Sequence, residues 1–138
     1  MKGNRNNSPH LNLSQLQAGF EFPPRDLKLT KSVISKYLQA TDGQGDFLRS
    51  GLVPPLILAA CANTALSQSL ATPPGTIHAS QDFEFLDTVA IGDTVRCQGT
   101  VAQRLERGRL NLIVLEISLV NRDGAKVLTG KATLTLPN

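Results

Sequence analysis

The sequence predicts an α+β domain in which an antiparallel sheet curls around one long helix. Three observations lead there. Residues 52–71 read as a buried helix, the segments beyond Thr76 read as strands, and the loops between those strands are mostly short enough for antiparallel neighbours. A chain of 138 residues is one domain by size, large enough to bury a core without disulfide or metal staples.

Residues 1–13 are polar, with Asn, Ser, Pro and Gly and little to bury, so they are expected to form a flexible tail ahead of a single domain over 14–138. Phe20 and Phe22 alternate around Glu21 before Pro23 and Pro24, the pattern of a short strand that the prolines end. Thr30 then offers an N-cap, and Val33, Ile34, Tyr37, Leu38 and Thr41 fall on one face of an amphipathic helix that Gly43 would close. The long helix follows. Pro54 and Pro55 suit its first turn, where an N–H has no intrahelical use, and the run after them is rich in Leu and Ala. Its small residues, Ala59, Ala60, Cys61, Ala62 and Ala65, would let a sheet backbone come close. Residues 72–75, Thr-Pro-Pro-Gly, end it, so a helix from Pro55 to Leu70 would be about 24 Å long at its rise per residue.

The strands are expected at 76–86, 94–104, 110–120 and 126–136. The third is nearly continuous Leu, Ile and Val and should be the most buried. Gly92 and Gly108 mark turns, Asn121-Arg-Asp-Gly124 is a hairpin signal, and Gly130 inside the last strand marks a bulge or a close backbone approach. Such a sheet has open edges, which two chains can close by pairing, so a dimer is expected.

Composition excludes several classes. The net charge of +3 is mild and spread out, and the densest basic group, Arg104, Arg107 and Arg109, flanks a turn glycine without the interleaved aromatics of single-strand binders, so no nucleic acid is expected as partner. No membrane span is expected either, because Asn63, Thr64, Ser67, Gln68 and Ser69 interrupt the apolar run before the roughly 20 residues a crossing needs. Cys61 and Cys97 lack metal-site spacing and read as free buried thiols, and no apolar signal segment follows the basic first residues, so a cytoplasmic protein without a metal is expected.

Four stretches go further. They are residues 34–42, Ile-Ser-Lys-Tyr-Leu-Gln-Ala-Thr-Asp; 52–60, Leu-Val-Pro-Pro-Leu-Ile-Leu-Ala-Ala; 80–86, Ser-Gln-Asp-Phe-Glu-Phe-Leu, with 89–94, Val-Ala-Ile-Gly-Asp-Thr; and 127–132, Val-Leu-Thr-Gly-Lys-Ala. In order and spacing they resemble the MaoC-like hydratases and dehydratases of the hotdog fold, over about residues 30–137. The resemblance implies a hotdog domain that hydrates enoyl thioesters of coenzyme A or acyl carrier protein, or dehydrates 3-hydroxyacyl ones. It also implies no cofactor beyond the thioester substrate, and a homodimer or a heterodimer with a related MaoC-like chain.

Carried over residue by residue, Asp42 stands where the family has its catalytic aspartate. The family's histidine follows five positions later, in Asp-x-Asn-Pro-x-His, where this chain has Phe47, and residues 43–51 contain no histidine. The family's oxyanion contact is a backbone N–H at the start of the hotdog helix, where this chain has Pro54 and Pro55, so Leu56 is the first residue able to donate. The catalytic candidates are therefore Asp42 and His78, and the substrate-contact candidates Pro55, Leu56 and Phe47. His78 serves as a base only if its strand faces Asp42 or the helix start, and a structural histidine is its plain alternative. Asp42 has one too, bonding backbone groups at a glycine-rich helix exit. Asn63 reads as a helix polar group bonded to a partner or water. A thioesterase is disfavoured, since no Asp or Glu occurs between Val53 and Pro74, where such enzymes carry a helix carboxylate. The resulting expectation is a hydratase or dehydratase with weak or partner-dependent activity; the alternative is a non-catalytic acyl-thioester-binding subunit.

Overall fold

The computed structural model describes residues 11–40 and 50–137. The elements in chain order are β1 (Leu11–Asn12), a 3-10 turn (Leu13–Gln15), β2 (Arg25–Lys28), α1 (Lys31–Ala40), α2 (Pro55–Ser67), β3 (Leu70–Ala71), β4 (Ile77–Phe85), β5 (Thr94–Arg107), β6 (Leu110–Val120) and β7 (Lys126–Thr135). Five strands form one antiparallel sheet in the order β2-β5-β6-β7-β4. The nearly all-apolar β6 lies at its centre, and β4 is an edge.

Helix α2 packs on one face of this sheet. It buries Ile57, Leu58, Ala59, Cys61, Ala62 and Ala65 in a core with Val95, Cys97, Ile117, Leu119, Val127 and Leu128. The small residues let helix and strands meet closely, as their spacing predicts. Helix α1 adds Ile34 and Leu38 to the same core, and Thr30 caps it, its Oγ1 accepting from the Val33 N–H at 3.2 Å. A second cluster gathers Leu13, Leu16, Phe22, Leu70, Val101, Ile113, Leu115, Leu134 and Leu136, and Leu66 touches both.

Several expectations change. The tail does not extend to residue 13: Leu11–Asn12 pairs in parallel with Leu70–Ala71, and Leu13 is fully buried. An alternating apolar residue in a polar context is hard to tell from a disordered one, and here it is docked. Arg104 lies in β5, as the expected 94–104 strand has it, and that strand runs on to Arg107; the Arg104 guanidinium donates to the carbonyls of Leu13 at 3.3 Å and Leu16 at 3.1 Å, holding the docked segment down. The Phe20–Phe22 segment makes only a single bridge, Glu21 to Thr100, while the ordered strand comes after the prolines, at β2. Helix α2 stops at Ser67, where the Gln68 N–H still reaches the Thr64 carbonyl and the Ser69 N–H reaches Leu66. Gly130 makes a close approach rather than a bulge, lying opposite Phe83 of β4. No helix among the described residues is long and apolar enough to cross a membrane.

Candidate functional site

The start of α2 is held in place by its neighbour loop. The Val53 N–H donates to the Val89 carbonyl and the Ile91 N–H to Gly51, each at 2.8 Å, and Leu52 bridges Ala90. The Pro54 carbonyl accepts from the N–H groups of Ile57 at 2.9 Å and Leu58 at 3.2 Å. Pro55 has no N–H, so Leu56 carries the one first-turn donor left without an acceptor among the described residues, and its side chain is 80% exposed. An open N–H at the positive end of a helix is a fit for a carbonyl oxygen that gains negative charge.

A cavity of about 380 Å³ lies further along, between the second half of α2 and the sheet. Asn63, Thr64 and Ser67 line it from the helix, His78 and Gln81 from β4, and Leu134 from β7. His78 and Gln81 are three residues apart and would face opposite sides of a regular strand. A register shift between His78 and Ser80, which leaves Ala79 unpaired, turns both to the helix side. Both amide atoms of Gln81 are buried with no hydrogen-bond partner. Thr64 is engaged, its Oγ1 lying 3.4 Å from the Tyr37 hydroxyl.

The two cysteines are poor nucleophiles. Burial pushes Cys97 from the ordinary 9.0 to about 11, with Arg25 opposing, and burial also raises Cys61, against the hydrogen bond with Tyr37. Among the described residues no group of three His, Cys, Asp or Glu side chains could hold a metal ion.

Of the residues singled out from sequence, Pro55 and Leu56 meet at the helix start, and Asp42 and Phe47 lie outside the described residues. His78 does not join Leu56. It lines the same cavity as Asn63 and Thr64, which lie about 10 Å from Leu56 along the helix axis at the α-helical rise. Gln81 was missed, because which face it occupies depends on a bulge that hydrophobic alternation does not announce.

The family described as FAS1-like, dehydratase domain region, matches residues 16–130. The fold is that of the hotdog hydratases and dehydratases. The unliganded R-hydratase PhaJ1 from Pseudomonas aeruginosa superposes with a TM-score of 0.73 at 17% identity, over 91% of this chain and 84% of that one. The MaoC-like dehydratase from Rhodospirillum rubrum gives 0.72 at 17% identity, over 91% and 96%. The C-terminally truncated HadBC complex, a 3R-hydroxyacyl-ACP dehydratase from Mycobacterium tuberculosis, gives 0.65 at 17% identity, over 89% and 99%. No curated protein sequence matches.

Proposed function

Because the chain belongs to the FAS1-like dehydratase domain family, we propose that it acts on acyl thioesters of coenzyme A or acyl carrier protein, adding water to a 2-enoyl group or removing it from a 3-hydroxyacyl group. The observation that carries this reading is the unpaired Leu56 N–H at the start of α2. It would receive the thioester carbonyl. During hydration a base takes a proton from water, the water oxygen bonds to Cβ, and the double-bond electrons move toward the carbonyl oxygen as Cα takes up a proton. A donor aimed at that oxygen stabilises the enolate-like stage more than the ground state. Asp42 is the proposed base and acid; the thioester is substrate, and water is the only co-reactant.

A second reading has its own support. His78 is the one histidine among the described residues, and it lines the cavity further along α2, so no histidine among the described residues stands at the helix start in place of the one missing after Asp42. The chain would then hold the acyl group while a related MaoC-like chain supplies the acid-base pair, an arrangement in keeping with the two-component HadBC complex among its structural neighbours. In either reading the open edge of β4, with exposed Ile77 and Phe85, is the proposed contact with a second copy or a related chain. Two free buried thiols suit a reducing, cytoplasmic setting.

The test is spectrophotometric hydration of short and medium enoyl-coenzyme A by the wild type, Asp42→Asn and His78→Ala. Slow turnover lost in Asp42→Asn is the expected result. Turnover that survives Asp42→Asn would overturn the assignment, and loss in His78→Ala alone would move the base to β4. No turnover with intact acyl-coenzyme A binding would establish the binding-subunit reading.

A further inference from the structure

Resting on the acyl-thioester reading, we propose that Gln81, with Asn63 and His78, forms a polar subsite for an oxygen carried far along the acyl chain. The preferred substrates are then thioesters whose medium-length chains bear a remote hydroxyl or keto group, rather than plain alkyl chains.

The argument starts with Gln81. Gln81 lines a cavity that has room for a ligand, and its Oε1 and Nε2 are both buried and both without a partner. Buried amides are nearly always hydrogen-bonded, and an orphaned one calls for a missing partner. Asn63 and His78 border the same cavity and also make no side-chain hydrogen bond among the described residues. Three polar side chains without protein partners therefore converge on one space. The rest of its wall includes Leu66, Leu115 and Leu134, which suit a hydrocarbon chain. An amide presents an acceptor and two donors, so a hydroxyl can satisfy it from both sides and a ketone from one. A plain alkyl chain would fill the cavity and leave Gln81 unpaired.

The helix supplies the path from the thioester end. Leu56, Ala60, Asn63 and Ser67 follow one another at the spacing of a single helix face, and this face stays outside the core that Ile57, Leu58, Cys61, Ala62 and Ala65 fill. A chain anchored by its carbonyl at Leu56 passes the small Ala60 and reaches Asn63 after about 10 Å. The unpaired Ala79 is what sets His78 beside Gln81 at that point.

Calorimetry with the purified full chain compares octanoyl-, ω-hydroxyoctanoyl- and 7-oxooctanoyl-coenzyme A, with butyryl-coenzyme A as a ligand too short to reach Gln81. The oxygenated chains are expected to bind at least about tenfold more tightly than octanoyl, the scale of one hydrogen bond. Gln81→Leu should erase that preference and leave butyryl binding in place. Asn63→Leu reads the same difference should Gln81→Leu fail to fold. Equal or weaker binding of both oxygenated chains by the wild type overturns the subsite, and the acyl-thioester reading stands if octanoyl still binds. If no thioester binds, that reading fails, and free ω-hydroxyoctanoate against octanoate decides the subsite alone: a preference lost in Gln81→Leu supports it, and no preference overturns it.

Discussion

A methyl group on Gly130 would stand 2.8 Å from Cδ1 of Phe83, the residue opposite it across β7 and β4. The glycine leaves the space in which the ring lies, and the Asp82 carbonyl, 3.0 Å from the same point, cannot move aside as a side chain can. Gly130→Ala is therefore expected to lower stability by about 1–3 kcal/mol. Urea unfolding measures it, and Phe83→Leu in the Gly130→Ala background should recover part of the loss. An unchanged midpoint in Gly130→Ala would contradict the packing.

The docked segment before β2 makes a separate claim. Leu13 is fully buried in the second cluster, so Leu13→Ala should cost about 2–5 kcal/mol. Thermal melting of this variant beside Gln15→Ala, at an exposed position, separates burial from a general effect of the segment. Equal melting temperatures would return the segment to the status of a tail.

Leu56→Pro tests the helix start, since proline lacks the N–H, the position is in the first turn and Leu56 is exposed. It removes the free N–H, and Leu56→Ala beside it shows what loss of the side chain alone does, while the circular dichroism reads any cost of a proline after Pro55. Enoyl-thioester hydration should fall about 10²–10³-fold with the circular dichroism unchanged. Retained activity would mean that the carbonyl is held elsewhere.

At the β4 edge, Ile77 is 61% exposed. Ile77→Lys places a charge where a pairing strand would lie and should shift a dimer toward monomer. Light scattering at micromolar concentration reads the change, and a wild type that is already monomeric would remove the edge as an interface.

Burial of Cys97 predicts a pH dependence. Its thiol is raised from 9.0 to about 11, so the folded state holds its proton where the unfolded chain has lost it. Stability from this group is complete below pH 9 and is lost as the pH climbs toward 11. The urea midpoint of the wild type should fall through that window more steeply than that of Cys97→Val. Alkylation of the native thiol should stay slow at pH 8. Parallel midpoints would show that the burial does not act on the thiol.

Much of the framework was legible. The prolines before α2, its small residues, the apolar run of β6 and the turn at Asn121 act locally, so they appear in the order of residues; the turn closes with the Gly124 N–H on the Asn121 carbonyl at 3.0 Å and Gly124 at φ 82°. What stayed hidden depends on distant partners. β2, Arg-Asp-Leu-Lys, is a strand because β5 pairs with it, its Asp26 meeting Arg96 at 2.8 Å, and not because its residues favour one. The site divides the same way. Leu56 follows from the absence of an N–H on two prolines, whereas the meeting of His78 and Gln81 needs the extra residue Ala79, which no periodicity reveals.

The order of strands in the sheet also sets a timetable for synthesis. β5, β6 and β7 pair with their sequence neighbours, but β2 and β4 both leave the ribosome before the strands they join, and so does α2. The most apolar helix of the chain is thus made before any of the sheet that shelters it. While β5 to β7 are still being translated, Ile57 and Leu58 have Ile34 and Leu38 of α1 as core neighbours but none of the sheet, and the domain closes only when the strand ending at Thr135 has arrived.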